Sequence, residues 1–518
     1  MTQDPRVLSN LLPGWAGTRP AAPWLLTDEH SWTFGEAHEL VETYAAGWQR
    51  LGVGRGSRVA LFMENSADYV LLVLSLVRVG AVYVPLNPEF HGAYLAAMLQ
   101  TLRPDVIVVD SELNEATADS FEECEPSLVV APSVVGWPDR KYRVALLCDL
   151  VIAAGRASPV DQRSSDVVSI MLTSGTTGRS KGVVSSHEAW ITGAEVTCRG
   201  RAVNQDDVFH LCTPMFHAAA WALNVWSSLM VGRPVVIGPR FSTETFWSDV
   251  RRHGATQLCT IGPMHLWLWN RPEQRDDADN PARVWTAVPL PGDLWKPFCD
   301  RFGLEAVVSM YGQTEVMPAT MGDARRSDKP GSSGPAHPDL ELCVVDESDH
   351  EVPSGSVGEL LIRPRRRNVM FEGYLDAIAG SESPDSGWFH TGDLVTLDED
   401  GELYFVERKS DHIRRRGHNV SSAEVESVVA LHSSVVEVAA YAVPSAEGED
   451  DVMIAVAPRP GELIDPGELA AFAAARLPGY AAPRYVEVLD DLPRSDTGKI
   501  AKYLLRKRGI TPATWRGY

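Results

Sequence analysis

Basic residues are scarce in this sequence. Its 518 residues include 47 Lys and Arg against 69 Asp and Glu, a formal charge of −22. A duplex nucleic-acid partner is thereby excluded, because phosphate backbones require a basic surface. An anionic small molecule would need a local cluster of positive charge. Paired cysteine motifs are also missing. The seven cysteines (Cys124, Cys148, Cys198, Cys212, Cys259, Cys299 and Cys343) are scattered, odd in number and include no C-x-x-C, so neither a disulfide framework nor a zinc cluster is indicated. They read as core residues of a reducing cytoplasm. Long apolar runs are absent too: the longest, Tyr69–Leu86, is broken by Arg78 and Gly80, which argues against a membrane span. The first residues, MTQDPRVLSN, show no basic segment followed by an apolar one, so no signal peptide is expected. There is no internal repeat or low-complexity tract.

What is present is ordinary globular composition, 44% hydrophobic and 22% charged, over a length that predicts at least two domains. Strand-length apolar runs alternate with longer amphipathic segments. Arg58–Met63 reads as a strand, Ala67–Val79 as a helix, and Ala81–Pro85 and Asp105–Asp110 as further strands. This rhythm predicts an α/β fold with a large N-terminal domain of helix-covered, mainly parallel sheets. From Leu340 to Arg363 short alternating strands split by Gly, Pro and Ser predict a β-rich subdomain. A hairpin-like segment follows Gly401, and Ser421 and Ser422 with Glu424 mark a helix start. The boundary falls near Arg408–Asp411, dividing the chain into 1–409 and a small α+β domain, 410–518. The basic clusters Arg363–Arg367 and Arg408–Arg416 read most simply as solvated loop charge.

The run Thr173–Gly182, TSGTTGRSKG, directly follows the strand-like Val167–Leu172. Its hydroxyls, glycines and lysine suit a loop that wraps an anion with backbone N–H groups and an ammonium. Alone it would also fit a plain Gly/Ser/Thr turn, and it is not a Walker A loop, since Lys181 follows Ser180 and precedes Gly182. Further segments follow in order: Thr213–His217 (TPMFH), Tyr311–Glu315 (YGQTE), Trp388–Asp393 (WFHTGD), Asp411–Val425 and Pro493–Lys499 (PRSDTGK). Taken singly, Glu315 also fits a helix N-terminus, Asp393 a turn and His217 a core histidine.

Together, across nearly the whole chain, these segments resemble the signatures of the adenylate-forming superfamily: acyl-CoA synthetases, nonribosomal peptide adenylation domains and luciferases. The subgroup likeness, carried by Phe246–Ala255, Gly358–Pro364 and Ile413–Val420, is to carnitine/crotonobetaine-CoA ligase-like members. The resemblance implies an AMP-forming ligase that joins a carboxylate to the α-phosphate of ATP, expels pyrophosphate and then forms a thioester with CoA.

On that resemblance Thr173, Ser174, Gly175, Thr176, Thr177 and Lys181 would line the triphosphate loop. Tyr311 would stack on adenine, Thr314 would reach the α-phosphate, and Glu315 would hold Mg²⁺. Asp393 would accept the ribose hydroxyls with Arg408 nearby, and His217 would lie near the carboxylate. Lys499, carried by a mobile C-terminal domain, would bridge carboxylate and α-phosphate. That domain would rotate between half-reactions, presenting Arg416–Asn419 to a thiol tunnel, about a hinge at Ser410. The family usually has Asp or Lys at the hinge. Ser180 replaces a common proline, and Thr286–Pro289 (TAVP) stands where many members have Gly-Gly-Ala-Pro, which predicts a narrowed pocket wall.

Ala218, Ala219, Trp221, Val288, Met310, Met317 and Pro318 are the candidate acid-pocket residues, a set suited to a flat aromatic or short-chain acid. Two alternatives accompany this reading. Some relatives in bacterial secondary metabolism activate nitrite and pass it to an aryl amine, which would make the chain a diazotase. A non-catalytic nucleotide-binding paralogue would have lost Lys499, Glu315 or the phosphate loop, and all three are intact. A monomer or homodimer in the cytoplasm is expected.

Overall fold

The structure, a computed structural model, describes residues 4–90, 92–109, 120–121, 124–133, 142–151, 155–173, 181–262, 264–326, 329–375, 387–409, 413–415, 418–445, 450–494 and 499–517. Among them a first sheet of seven strands runs in the order Ala306–Val308, Val284–Val288, Gln257–Ile261, Phe209–Leu211, Val235–Ile237, Pro23–Leu26 and Ser31–Thr33. All its pairs are parallel apart from the last. A second, eight-stranded sheet is ordered Gly373–Tyr374, Lys181–Ser186, Val167–Thr173, Val82–Leu86, Arg58–Phe62, Val106–Val109, Leu128–Ala131 and Arg143–Leu146. Its first two pairs are antiparallel and the rest parallel.

The strand and helix positions expected at 58–110 are met within a residue or two: Arg58–Phe62, Ala67–Arg78, Val82–Leu86 and Val106–Val109. Strands of this kind must be covered on both faces, and their near-continuous apolar character reflects it. The helices Phe34–Leu51, Ala67–Arg78 and His187–Gly200 share one apolar core with both sheets. Each begins at a hydroxyl cap: Thr33 in a reciprocal box with Glu36, Ser66 on the Tyr69 N–H, and Ser186 on the Ala189 N–H.

The expected β-rich subdomain is an antiparallel sheet of Leu340–Val345, Gly358–Pro364, Phe389–Leu397 and Leu403–Arg408. The segment after Gly401 is therefore not a hairpin on its own. Leu403–Arg408 completes this sheet, and Ile413–Arg415 pairs separately with His418–Val420. The C-terminal part is α+β, with strands Val435–Pro444, Asp450–Pro458, Tyr485–Val488 and Trp515–Arg516 covered by the helices Ser422–Val429 and Pro466–Ala474.

Two sequence readings need refinement. Arg363 and Arg365–Arg367 are exposed, as expected of loop charge, but several basic residues of both clusters also pair. Arg366 meets Glu188 and Asp339, and Arg365 donates to the Leu340 carbonyl. Arg415 is buried against Asp451 and donates to the carbonyls of Tyr480 and Ala482. Each guanidinium closes a gap between segments distant in sequence, which no local pattern displays. Nor are all the cysteines core residues: Cys212 and Cys259 are buried, whereas Cys148 is exposed. No helix among the described residues is long and apolar enough to cross a membrane.

Four histidines, His187, His210, His265 and His337, are buried, and burial pushes each pKa down to about 4. Between pH 6.5 and 4 the unfolded chain therefore binds protons that the folded chain excludes. Their contribution to stability is complete above pH 6.5 and is lost as pH falls, at up to about 1.4 kcal/mol per unit for each ring. Denaturant midpoints measured from pH 7.5 to 5 should fall steadily below 6.5. A flat profile would show that these rings protonate in place.

Candidate functional site

The parallel strands of both sheets end on one side of the molecule, and ligands of such sheets bind beyond their carboxyl ends. Residues directly after the strands line a cleft of about 1310 Å³: Met63–Asn65, Asn87–Glu89, Pro239–Phe241, Gly262 and Pro289 among them. The strands Val167–Thr173 and Lys181–Ser186 form a hairpin in which Thr173 pairs with Lys181, so both stand at the mouth of the loop between them. Ser174, Gly175, Thr176, Thr177 and Ser180 lie outside the described residues.

Of the other residues singled out from sequence, Thr173, Lys181, His217, Ala218, Ala219, Val288, Met310, Tyr311, Thr314, Glu315, Met317, Asp393, Arg408 and Lys499 all line this one cleft. Trp221 does not, which corrects the sequence reading. It is fully buried, donates its indole N–H to the Met215 carbonyl at 2.6 Å and packs on Tyr69, Tyr83 and Trp226. The turn after Ala220 rotates it into the core, and Leu223 faces the cleft instead. Pro318 is also outside the lining, and Thr286, expected to narrow the wall, is fully buried. Ser410, Arg416 and Gly417 lie outside the described residues.

Asp393 organises the polar lining. Its Oδ2 accepts hydrogen bonds from the Tyr311 hydroxyl and from Gln313 Nε2, both at 2.7 Å. Antiparallel register sets Arg408 opposite it, with Nε 3.4 Å from Oδ1. That Oδ1 is buried without a hydrogen-bond partner. A buried carboxylate oxygen left in this state is costly, and a ligand hydroxyl would satisfy it. Burial, and then the neighbouring Asp393 charge, raises the Tyr311 pKa, so the phenol remains a donor.

Glu315 is buried nearby and accepts from the Tyr374 hydroxyl at 2.8 Å; burial raises its pKa above the usual carboxylate range. Lys181 Nζ lies 4.3 Å from the centroid of the same Tyr374 ring, so this tyrosine links the loop lysine to the carboxylate. Among the described residues no group of three or more His, Cys, Asp or Glu could enclose a metal ion. One buried carboxylate suits Mg²⁺ that takes its remaining ligands from phosphates and water, and does not suit an all-protein cage.

Lys499 enters from the C-terminal part. An antiparallel bridge between Arg494 and Ile500 closes the loop that ends in it. Solvent reaches its side chain through the cleft, yet the surrounding protein lowers its pKa, Arg408 adds repulsion, and Asp393 opposes both.

Three contributors escaped the sequence reading. Gln313 occupies the variable position of YGQTE, and Tyr374 belongs to a two-residue strand with no pattern around it. Asn65 accepts from the Met215 N–H at 2.8 Å and donates to the carbonyls of Thr213 and Gly238 at 2.9 and 3.2 Å. It thereby fixes the turn that carries His217. An asparagine just past a strand in MENS was the only signal.

Comparison with known proteins agrees with this geometry. The family model "AMP-binding enzyme" matches residues 13–375, and "AMP-binding enzyme C-terminal domain" matches 424–499. A crotonobetaine/carnitine–CoA ligase of Salmonella choleraesuis is 28% identical over 484 residues, covering 92% of this chain and 93% of its own. Among solved structures, ATP-bound MatB from Rhodopseudomonas palustris superposes with a TM-score of 0.83 at 26% identity, over 96% of this chain and 98% of its own. Apo MatB gives 0.73 at the same identity, over 97% and 98%. The arrangement found here is thus more similar to the ATP-bound form.

Proposed function

The chain belongs to the AMP-binding enzyme family, and we propose on that footing that it activates a small monocarboxylic acid, aromatic or short-chain, and passes the acyl group to CoA. Carboxylate oxygen would attack the α-phosphate of ATP, pyrophosphate would leave, and the CoA thiol would displace AMP from the acyl-adenylate. The observation that carries the reading is the two kinds of lining that one cleft combines. The unpartnered Asp393 oxygen, Tyr311, Thr314 and Lys499 are polar. Ala218, Ala219, Leu223, Ile261, Val288 and Met317 form an apolar part that packs into one cluster.

Each residue has a role in this proposal. Asp393 binds the ribose, and Tyr311 both orients that carboxylate and offers its ring to adenine. Thr173 and Lys181, with the loop 174–180, hold the phosphates. Glu315 would hold Mg²⁺, whose contribution is to offset phosphate charge. Thr314 contacts the α-phosphate and His217 the acid's carboxylate. Lys499 neutralises the charge that builds as the two anions meet.

We place the domain boundary after Lys409. This residue pairs with Glu359 at 2.7 Å, so the chain is held by the large domain up to the position before Ser410. The apolar lining combines the small Ala218 and Ala219 with the aromatic Phe216, Phe241 and Trp267, a set that suits a flat ring or a short chain.

The test is pyrophosphate release with Mg-ATP over a panel of benzoates and short-chain acids, with and without CoA, with products identified by mass. Acid-dependent release and a CoA thioester are expected. Release that requires nitrite and an aminobenzoate, with a diazo product, would replace the acid by a smaller oxyanion and overturn the proposal.

A further inference from the structure

Arg201, the residue that caps the helix His187–Gly200, is fully buried. Among the described residues no carboxylate forms an ion pair with it. Asp207, the acid whose charge acts on it, is already engaged by Arg283 at 2.7 Å and by Gln257 and Thr256. The other neighbours of Arg201, the Phe209 ring 5.8 Å away and Cys259, are weak partners for a charge, and a buried cation without a carboxylate is costly unless its donors are satisfied.

Two donors are committed. Nε donates to the Thr286 hydroxyl at 2.7 Å, and Nη1 donates to the Leu223 carbonyl at 2.9 Å. Nη2 has no partner. Leu223 is a lining residue of the cleft and lies in the π-turn Trp221–Val225, where the helix deviates from α-helical spacing. Such turns have irregular backbone bonding and often occur at functional sites. Thr286 lies one step below the lining residue Val288 on the same face of its strand, since alternate residues share a face. Cys259, beside the guanidinium, stands in the same relation to the lining residue Ile261. Arg201 thus lies directly beneath Leu223, Val288 and Ile261 and joins the turn on one side of the apolar lining to the strand on the other.

We propose that Arg201 is a specificity-determining positioning residue: by tying the Leu223 carbonyl to Thr286 it fixes the floor of the acid pocket and limits its depth. This deepens the proposed acid activation and rests on it. It also gives a role to the buried Thr286 hydroxyl, which accepts this bond. The corresponding substrate class is an acid whose group ends at a rigid floor, a ring or a short chain rather than a long one.

The experiment compares the wild type with Arg201→Met, which keeps bulk without donors, and with Thr286→Val, which is nearly isosteric and carries the test if the first variant does not fold. Hydrogen exchange of backbone amides in 221–229, read without any acid, is expected to speed up about tenfold, the loss of one charge-assisted hydrogen bond. AMP affinity, governed by the polar lining of the cleft, should stay constant. With benzoate, butyrate, hexanoate and octanoate as probes, relative kcat/KM should move toward the longer acids by about tenfold per added length that the floor had excluded. Unchanged exchange would overturn the anchoring. Faster exchange with an unchanged acid ranking would reduce Arg201 to a packing role. If no acid supports pyrophosphate release in the wild type, the activation reading fails, and the exchange data still judge the anchor.

Discussion

Replacing Lys499 with alanine should lower the rate of acyl-adenylate formation by about 10²–10³, the loss expected for one preorganised group aimed at developing charge. The lysine is a cation that the C-terminal part contributes to the lining of the cleft, within the electrostatic influence of Asp393 and Arg408. Its side chain is exposed to solvent, so thermal stability and AMP affinity should hold. Conversion of separately supplied acyl-AMP and CoA to thioester should survive, because on the proposed reading that half-reaction would use another face of the domain. Equal loss in both half-reactions would remove the assignment. A pH signature accompanies it. Protein burial, chiefly, and then Arg408, depress the pKa of this ammonium, so its charge disappears at a lower pH than that of a free lysine. Adenylation should decline on the alkaline side below the ordinary lysine range. Lys499→Arg should retain a cation there and abolish that limb.

Asp393→Asn should raise the KM for ATP by about a hundredfold, in the range for removing a charged hydrogen-bond acceptor from a buried site. Two donors, Tyr311 Oη and Gln313 Nε2, converge on Oδ2, Arg408 adds a positive charge 3.4 Å from Oδ1, and Oδ1 keeps an open hydrogen-bond position. An amide preserves the shape but cannot accept at both oxygens, and it cannot balance Arg408. The same change reaches Lys499. Asp393 is the influence that raises the lysine's pKa, so its neutralisation should shift the alkaline limb of adenylation to still lower pH. Titration calorimetry with AMP and pH–rate profiles separate the two effects. A loss of ATP affinity with an unmoved alkaline limb would mean that Asp393 and Lys499 do not share one field.

The residues that the structure gathers in one cleft from the motifs were legible because each lies in a short run with its own local logic. Thr173 and Lys181 flanking a hydroxyl- and glycine-rich run, YGQTE and WFHTGD are all read from adjacent positions. The strand–helix alternation was legible for a similar reason, since apolar periodicity is local. Residues that act alone across the fold were not. Asn65 fastens a turn 150 positions away, Tyr374 reaches Glu315 over 59, and Arg201 reaches Thr286 over 85. Trp221 was misread for the complementary reason: it adjoins Ala218 and Ala219 in sequence, but a π-turn directs it inward.

By itself, then, the sequence determined the α/β class, the order of the motifs and the inventory of charged and hydroxyl groups for nucleotide chemistry, because each follows from nearest-neighbour spacing. Only the tertiary structure decided which of those groups share a cleft, which oxygen of Asp393 is left open, and what lies beneath the acid pocket. Those depend on where parallel strands end and on how buried polar groups find partners across the core, and contacts of that kind leave no periodic trace along the chain.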